Sequence, residues 1–250
     1  MNELYNTMPS IVPRPRAHGR CIDTNASFFI SDYLEISHRM PDPVELGCKI
    51  AELHKKSVSP TGMFGFHVPP YDGTFPLATE WDSSWMSFYQ KLLKRVYEQD
   101  THANGNWEPF DRAMELTLQR VIPRLLGPLE EDGRSVKPCL IHGDLWEGNI
   151  GTDPQTGAIY IFDSCAYYAH HEMGIGMWRV EHHRMTAKEY REEYFRNYAP
   201  DEPVQEWDDR NRLYSLKELL IYSAHFPEAK ARKQALVDME FLIGKYGVKK

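Results

Sequence analysis

The sequence has few cysteines and no long hydrophobic run. Its 250 residues include 4 cysteines, at Cys21, Cys48, Cys139 and Cys165. They are too widely spaced for a disulfide framework, and no Cys-x-x-Cys pair indicates a zinc site or a redox motif. The N-terminus lacks the basic segment and apolar core of a signal peptide, and no window reaches the length of a membrane span. We therefore expect a soluble cytoplasmic protein with no membrane partner.

Positive charge is also scarce. Lys and Arg total 29 and Asp and Glu total 36, which gives a formal net charge of −7. The acidic residues are scattered and no basic stripe is available to bind a phosphate backbone, so we do not expect a nucleic-acid partner. The hydrophobic content of 42% is typical of a globular protein and excludes disorder as the main state.

Helix signals dominate the local patterns. The segment D-P-V-E at Asp42 to Glu45 is typical of a helix N-terminus, with a capping acid, a proline at the first helical position and a glutamate that completes a capping box. Prolines before residue 16 leave room for only a short helical stub. Periodicity and capping signals predict further helices over 85–97, over 109–129 with a kink or break at Pro123, from a capping box at Thr186, over 208–225 and over 227–246.

Three segments have the composition of strands. Residues 27–36 are aromatic and β-branched enough for a buried strand that runs into a connector near 31–33. Residues 138–141 and 158–162 are short and apolar, and the turn D-P-Q-T-G precedes the second of them. We expect these two strands to form a small hairpin-like unit between helices.

The most informative stretch is C-L-I-H-G-D-L-W-E-G-N, which ends at Asn149 and is followed by I-Y-I-F-D ending at Asp163. An Asp followed five residues later by Asn, with a second Asp after the next strand, is typical of the catalytic loop and metal-binding Asp of phosphoryl-transfer enzymes. Asp144 would accept the proton of the attacking hydroxyl. Asn149 and Asp163 would offer a neutral and a charged oxygen to Mg²⁺.

Two other interpretations of these residues are open. A lone Asp-x-x-x-x-Asn is more often a turn or a helix cap than a catalytic loop. His142, Asp144 and Asp163 could instead be the ligands of a hydrolytic metal, although such a site gives no reason for Asn149.

At these residues the sequence resembles the fructosamine and ketosamine kinases, whose signature H-G-D-L-W-x-G-N stands here at His142–Asn149. The likeness, greatest to the fungal members, continues through F-D-S-C-A-Y-Y-A-H-H-E at 162–172, A-E-L-H-K-K-S-V-S-P-T-G-M-F-G-F at 51–66 and W-D-D-R-N-R-L-Y-S-L at 207–216. It implies an α+β, protein-kinase-like fold related to the aminoglycoside phosphotransferases, mainly the α-rich C-lobe with a catalytic β-hairpin.

The resemblance also implies an activity. Members use ATP and Mg²⁺ to phosphorylate ketosamines, which are ribulosamines or fructosamines on protein lysines or on small amines, at the sugar 3-hydroxyl. The phosphorylated adduct then breaks down and restores the amine. Asp144 is the proton acceptor in this resemblance, and Asn149 and Asp163 are the Mg²⁺ ligands.

Further site residues follow from the resemblance alone. Ser31, Asp32 and Tyr33 would form the hinge whose backbone meets the adenine of ATP. His142 would stabilise the catalytic loop. Trp146 would either line the sugar site or serve as a buried structural residue.

The chain departs from the family pattern on its N-terminal side and near Gly174. The family's phosphate-covering loop, strand lysine and helix glutamate have no counterpart, so 1–36 is predicted to be an N-lobe remnant with the hinge strand and 37–250 the helical C-lobe, with Met1 at an internal position of the pattern. Gly174 and Ala169 replace an expected acid, which would brace the catalytic loop, and an expected glycine.

These departures predict weak activity or none, because phosphoryl transfer depends on positioning and charge stabilisation. They also predict exposed apolar surface on an incomplete sheet. A non-catalytic remnant that binds a protein or a sugar-amine is the competing hypothesis. The run His170, His171 and Glu172 lacks the helical H-E-x-x-H spacing, so we expect no metal there.

Overall fold

The computed structural model describes residues 1–24, 26–37, 39–227 and 230–247. Helices form most of its regular structure, with short antiparallel strand pairs between them. The helices are α1 Asn2–Thr7, α2 Pro43–Lys56, α3 Trp85–Asn104, α4 Glu108–Leu116, α5 Ile122–Leu126, α6 Lys188–Asn197, α7 Trp207–His225 and α8 Ala231–Tyr246. The strands are β1 Pro15–Arg20, β2 Ser27–Ser31, β3 Tyr71–Asp72, β4 Phe75–Pro76, β5 Cys139–Ile141, β6 Ile150–Thr152, β7 Ile159–Ile161 and β8 Tyr167–Ala169. Within these ranges, no helix is both long enough and apolar enough to cross a bilayer.

The helix predicted after Asp42 is confirmed as α2. The Asp42 carboxylate caps it by accepting a hydrogen bond from the Glu45 amide at 2.9 Å. The break predicted at Pro123 is also confirmed, because α4 is followed by a wider π turn over 117–121 before α5 begins. Proline has no amide hydrogen to continue the regular α-helical ladder at that point.

Two helix starts differ from the prediction. The capping box predicted at Thr186 is wrong, because Thr186 belongs to a separate 3₁₀ turn and α6 begins at Lys188 without a side-chain cap. The last helix, α8, begins later than its predicted range of 227–246. Residues 228 and 229 of that range, and 248–250 at the end of the predicted C-lobe, lie outside the described residues.

The hairpin-like unit predicted from 138–141 and 158–162 is wrong in its pairing. Strand β5 pairs antiparallel with β8, and β6 pairs antiparallel with β7. Each of these four strands is only three residues long, and most of their side chains are buried. They therefore carry no alternating pattern from which their partners could be predicted.

The strand predicted over 27–36 is shorter and more exposed than expected. Strand β2 pairs with β1 and with no other strand in the described residues. Phe28, Phe29 and Ile30 are 42%, 48% and 51% exposed. The prediction of a buried strand is wrong, since a two-stranded sheet has no second layer to cover these side chains. Exposed apolar surface, which the incomplete sheet predicts, is present.

One hydrophobic cluster runs through the described residues. Trp85 and Tyr89 on α3 pack edge-on against Tyr214 on α7, with ring centroids 5.8 and 5.2 Å apart. The Trp85 indole also donates a hydrogen bond to the Tyr214 hydroxyl at 2.9 Å. Leu4 on α1 is buried in the same cluster. The division into 1–36 and 37–250 stays a prediction.

A buried ion pair joins the turn after β8 to α7. Arg210 donates to both carboxylate oxygens of Glu172, at 2.7 and 2.8 Å, and both side chains are 0% exposed. The guanidinium also donates to the carbonyls of Asp201 and Pro203, and the Asp201 amide donates to Glu172. A buried charged pair is stable only when its remaining hydrogen-bonding groups are satisfied in this way. The turn that packs against β5 is thereby fixed to the helical core.

Loss of this pair is expected to destabilise the fold. Glu172→Gln leaves the buried Arg210 without its counter-charge, so we expect the free energy of unfolding to fall by about 3 to 5 kcal/mol. Urea unfolding followed by circular dichroism measures the change. The control is Glu52→Gln, which breaks the exposed pair of Glu52 with Lys56 and is expected to cost less than about 1 kcal/mol. Equal losses in the two variants would contradict a special role for the buried pair.

Candidate active site

His142 bonds the loop that follows β5 to the backbone that precedes Asp163. The His142 ring nitrogen Nε2 lies 2.9 Å from the Phe162 carbonyl, and Nδ1 accepts a hydrogen bond from the Asp144 amide at 3.3 Å. The ring is buried, and burial lowers its pKa to about 4. His142 is therefore neutral near pH 7, with its proton on Nε2. Both nitrogens are used by the backbone, so His142 is not available to a metal. The role of loop support stays a prediction that these bonds favour.

Asn149 connects the Asp144 carboxylate to the backbone of Asp163. Its side-chain nitrogen donates to the Asp144 backbone carbonyl and to Asp144 Oδ2, both at 2.8 Å, and lies 3.4 Å from the Asp163 carbonyl. These three acceptors fix the orientation of the amide and leave its oxygen, Oδ1, for another ligand. The structure thus brings Asp144, Asn149 and Asp163 together.

The same residues fit a divalent cation. Asp163 has a backbone φ of 56°, a left-handed conformation that is uncommon for residues other than glycine and is often found at functional sites. The Asp163 carboxylate belongs to a residue that lines the same cavity as Asp144 and Asn149. Together, this carboxylate and Asn149 Oδ1 supply the oxygen ligands that Mg²⁺ prefers.

Asp144 has a raised pKa. Burial, together with the nearby carboxylates of Asp72 and Asp163, raises its pKa to about 6, while the Lys217 ammonium and the Asn149 amide oppose the shift. An acid of this pKa is ionised at pH 7 and more basic than an ordinary aspartate, as a proton acceptor requires.

Asp144 opens onto a cavity of about 530 Å³. The lining combines carboxylates with aromatic and histidine rings, and it includes Asp72, Asp144, Trp146, Glu147, Asn149, Asp163, His182, His183, Glu218, Tyr222, His225 and Phe226. Trp146 is half-buried, with its ring centroid 5.4 Å from that of His183. It therefore lines the cavity and is not a fully buried structural residue.

The sequence did not point to Lys217, Glu218 or Asp72. Lys217 is 0% exposed and donates to Asp72 at 2.6 Å, to the Gly143 carbonyl at 3.0 Å and to Glu218 at 3.0 Å. One signal was available: Lys217 lies four residues after Leu213 and three before Leu220, so its neighbours one turn away on α7 include buried apolar side chains. Asp72, in contrast, lies in an irregular segment without any such pattern.

The predicted hinge lies apart from this cavity. Ser31, Asp32 and Tyr33 are not among its lining residues. The Asp32 amide donates to the Arg14 carbonyl at 2.9 Å, its carboxylate pairs with Arg16, and Tyr33 is 90% exposed. The chain after them returns to the site, because residue 37 pairs with Thr152 on β6. The contact of 31–33 with adenine stays a prediction.

The space beside Gly174 is already occupied. A Cβ atom at this position would lie 2.6 Å from Cε1 of His54 and 3.1 Å from Cγ2 of Ile141. His54 is buried and bonded to the Tyr194 hydroxyl at 2.8 Å. The family's acid therefore could not be placed here without moving the histidine.

The ligand atoms of His170, His171 and Glu172 lie within 4.8 Å of one another. Both Glu172 oxygens are paired with Arg210, whose positive charge disfavours a cation. His170 is bonded to Tyr214 through Nδ1 and to a carboxylate through Nε2. These contacts favour a structural role.

The raised pKa of Asp144 predicts a pH-dependent stability. Its pKa is higher in the folded chain than in the unfolded one, so ionisation of the carboxylate destabilises the fold as pH rises from about 4 to about 6. In buffer with EDTA, Asp144→Asn should therefore be more stable than the wild type at pH 7.5, by about 2 to 3 kcal/mol, and should lose this advantage near pH 4. Urea unfolding at the two pH values measures it.

The matched control is Asp153→Asn. Hydrogen bonds from the amides of Thr156 and Gln155 lower the pKa of Asp153, so this substitution should weaken the fold at neutral pH. A loss of stability at pH 7.5 in the Asp144 variant would contradict the electrostatic description of the site.

Comparisons with known proteins identify one family. A family model described as fructosamine kinase matches residues 1–242. A chloroplastic protein-ribulosamine 3-kinase from Oryza sativa subsp. indica is 36% identical over 178 residues, which are 71% of this chain and 49% of the rice protein. The chain spans about half the length of the curated relatives it matches.

Solved structures confirm the predicted α+β, protein-kinase-like fold. A crystal structure from Thermobifida fusca, provisionally named a fructosamine-3-kinase, has a TM-score of 0.75 at 21% identity and covers 97% of this chain and 77% of its own. The aminoglycoside phosphotransferase APH(4)-Ia, in a ternary complex with AMP-PNP and hygromycin B, has a TM-score of 0.59 at 16% identity, covering 96% of this chain and 80% of its own. Because the family model matches 1–242 of its 250 residues, the chain belongs to the fructosamine kinase family, whose members are ATP-using phosphotransferases.

Proposed function

We propose that this chain provides the phosphoryl-acceptor side of a ketosamine 3-kinase, which transfers a phosphoryl group from ATP to the 3-hydroxyl of a ribulosamine or fructosamine. The observation that carries the proposal is the joint placement of Asp144, Asn149 and Asp163 at one cavity, with Asn149 bonded to both carboxylate residues. The family membership of the chain supports the same reaction.

Asp144 is the proton acceptor in this reaction. Asn149 donates to Oδ2 of its carboxylate, which leaves Oδ1 to receive the proton of the sugar hydroxyl. His142 holds the backbone amide of the same residue, so the carboxylate stays fixed relative to β5 and β7. Such positioning matters because phosphoryl transfer is catalysed mainly by orientation and charge stabilisation.

Asn149 Oδ1 and the Asp163 carboxylate would hold Mg²⁺. When bound, the ion neutralises charge on the phosphates of ATP. The orientation of the Asn149 amide, fixed by its three acceptors, prepares one ligand oxygen in advance.

The cavity fits a sugar-amine. The Glu147 carboxylate lies among its lining residues and complements a protonated amine. Trp146 and Tyr222 supply aromatic faces on which the apolar face of a sugar can stack. The substrates are therefore glycated protein lysines or small ketosamines.

The four cysteines fit a reducing compartment such as the cytoplasm. Cys21 and Cys48 are exposed, Cys139 and Cys165 are buried, and all four are free thiols. Free exposed thiols persist where disulfides are kept reduced.

Turnover should depend on Asp144. Removal of a general base typically lowers the rate by about 100- to 10,000-fold, so we expect Asp144→Asn to abolish most of the ADP release from Mg-ATP and a ribulosamine-lysine peptide. Coupled ADP detection measures the rate, and mass spectrometry identifies the phosphorylated peptide. The matched control is Asp153→Asn, which changes a half-buried aspartate on the neighbouring β6–β7 hairpin that is not among the cavity lining residues. Substantial turnover in the Asp144 variant would remove this residue from the mechanism.

Binding of Mg-ATP should stabilise the chain independently of turnover. A ligand at about a hundredfold its Kd adds about 2.7 kcal/mol to stability, so the wild type should melt several degrees higher with Mg-ATP. Asp163→Asn should lose most of this shift, and Asp153→Asn should keep it. A wild type without any shift would favour the non-catalytic alternative, in which the chain binds a protein or sugar-amine only.

A further inference from the structure

We propose that Lys217 is a positioning residue for the acceptor cavity. It joins the cavity wall, which is the β3–β4 hairpin that carries Asp72, to the backbone of the catalytic loop and so sets the width of the cavity. This inference rests on the proposed function and deepens it, because it names the group that controls access of the sugar to Asp144. Neither the family signature nor the other motifs of the sequence contain this lysine.

The first observation is how the ammonium is bonded. Lys217 lies on α7 and reaches three acceptors: the Asp72 carboxylate at 2.6 Å, the Gly143 carbonyl at 3.0 Å and the Glu218 carboxylate at 3.0 Å. An ammonium has three donors, so all of them are used within the protein. Gly143 immediately precedes Asp144, which places one of the three bonds on the catalytic loop itself.

Full use of its donors also excludes a different role for the lysine. A lysine that binds the phosphates of ATP needs a donor free for them, but Lys217 is 0% exposed and its donors are taken. Burial favours the neutral amine, yet the carboxylates of Asp72 and Glu218 raise the pKa of Lys217. It therefore remains charged and bound to its neighbours.

The second observation concerns the stability of the β3–β4 hairpin, which forms the cavity wall bonded by Lys217. Strands β3 and β4 pair through only two residues each, and so short a hairpin is not stable alone. The hairpin is joined to α7 at two places. One is the Asp72 bond to Lys217, and the other is His225, which accepts from the Thr74 amide at 3.3 Å and packs on Phe75 with ring centroids 4.6 Å apart.

These two attachments give the hairpin a defined place. Lys217 and His225 are eight residues apart on one helix, so they are about 12 Å apart along its axis. Asp72 and Gly73 of the hairpin line the cavity that contains Asp144. Breaking the Lys217 bond would leave Asp72 with only the weak contact from the Cys165 thiol at 4.0 Å, while the His225 end of the hairpin stays attached.

Hydrogen–deuterium exchange of the purified full chain tests the attachment without any activity. In Lys217→Met we expect amides of both 71–75 and 143–149 to exchange about tenfold faster. In Asp72→Ala, which leaves Lys217 bonded to Gly143 and Glu218 and is less damaging to folding, only 71–75 should accelerate. The control is Lys91→Met, which removes a lysine paired with Asp82 at 2.7 Å on an exposed surface. Unchanged exchange at 71–75 in either cavity variant would overturn the proposal.

Kinetics separate positioning from a general loss of structure. In Asp72→Ala and in Lys217→Arg, we expect KM for the ketosamine to rise about tenfold while KM for ATP stays within about twofold. Parallel increases in both constants would indicate a merely structural role and overturn the proposal. If the wild type has no turnover, the proposed kinase function fails, whereas the exchange experiment still decides whether Lys217 holds the wall.

Discussion

The ammonium of Lys217 is buried among carboxylates, between Asp72 and Glu218 and within electrostatic reach of Asp144. Carboxylates brought this close repel one another, and burial adds a desolvation cost to each. The attraction of the ammonium offsets part of both penalties. The ammonium also bonds the Gly143 carbonyl, which belongs to the catalytic loop. The raised pKa of Asp144 indicates that compensation is incomplete, which leaves Asp144 more basic than an exposed aspartate.

The loop that carries Asp144 is held by neutral groups as well as by this charge. His142 connects it to the carbonyl that precedes Asp163, and Asn149 connects its carboxylate to the carbonyl of Asp163 itself. Neutral donors fix geometry without cancelling the negative charge that a base and a cation site both need. The scaffold behind the loop is held separately by the saturated pair of Glu172 and Arg210, so changes in charge at the cavity need not disturb the core.

Sequence reasoning was most successful where the determining residues are neighbours in the chain. Asp42 caps α2, Pro123 interrupts its helix, and the motif around Asp144 to Asn149 forms one hydrogen-bonded loop, because each of these features depends on a few consecutive residues. Strand pairing and the environment of Lys217 could not be predicted in this way. Lys217 meets Asp72 across 145 positions of sequence, and three-residue strands contain too few side chains to encode a partner.

The structure also changes the interpretation of Gly174. As a departure from the family pattern it indicated a catalytic loop without its brace. The buried ring of His54 fills the space beside this glycine and is bonded to Tyr194, which also bonds His171. His142, Asn149 and Lys217 all bond the loop that carries Asp144, and none of these bonds involves position 174. The histidine therefore occupies the space that a side chain at 174 would need, and the glycine is not by itself a sign that the site has decayed.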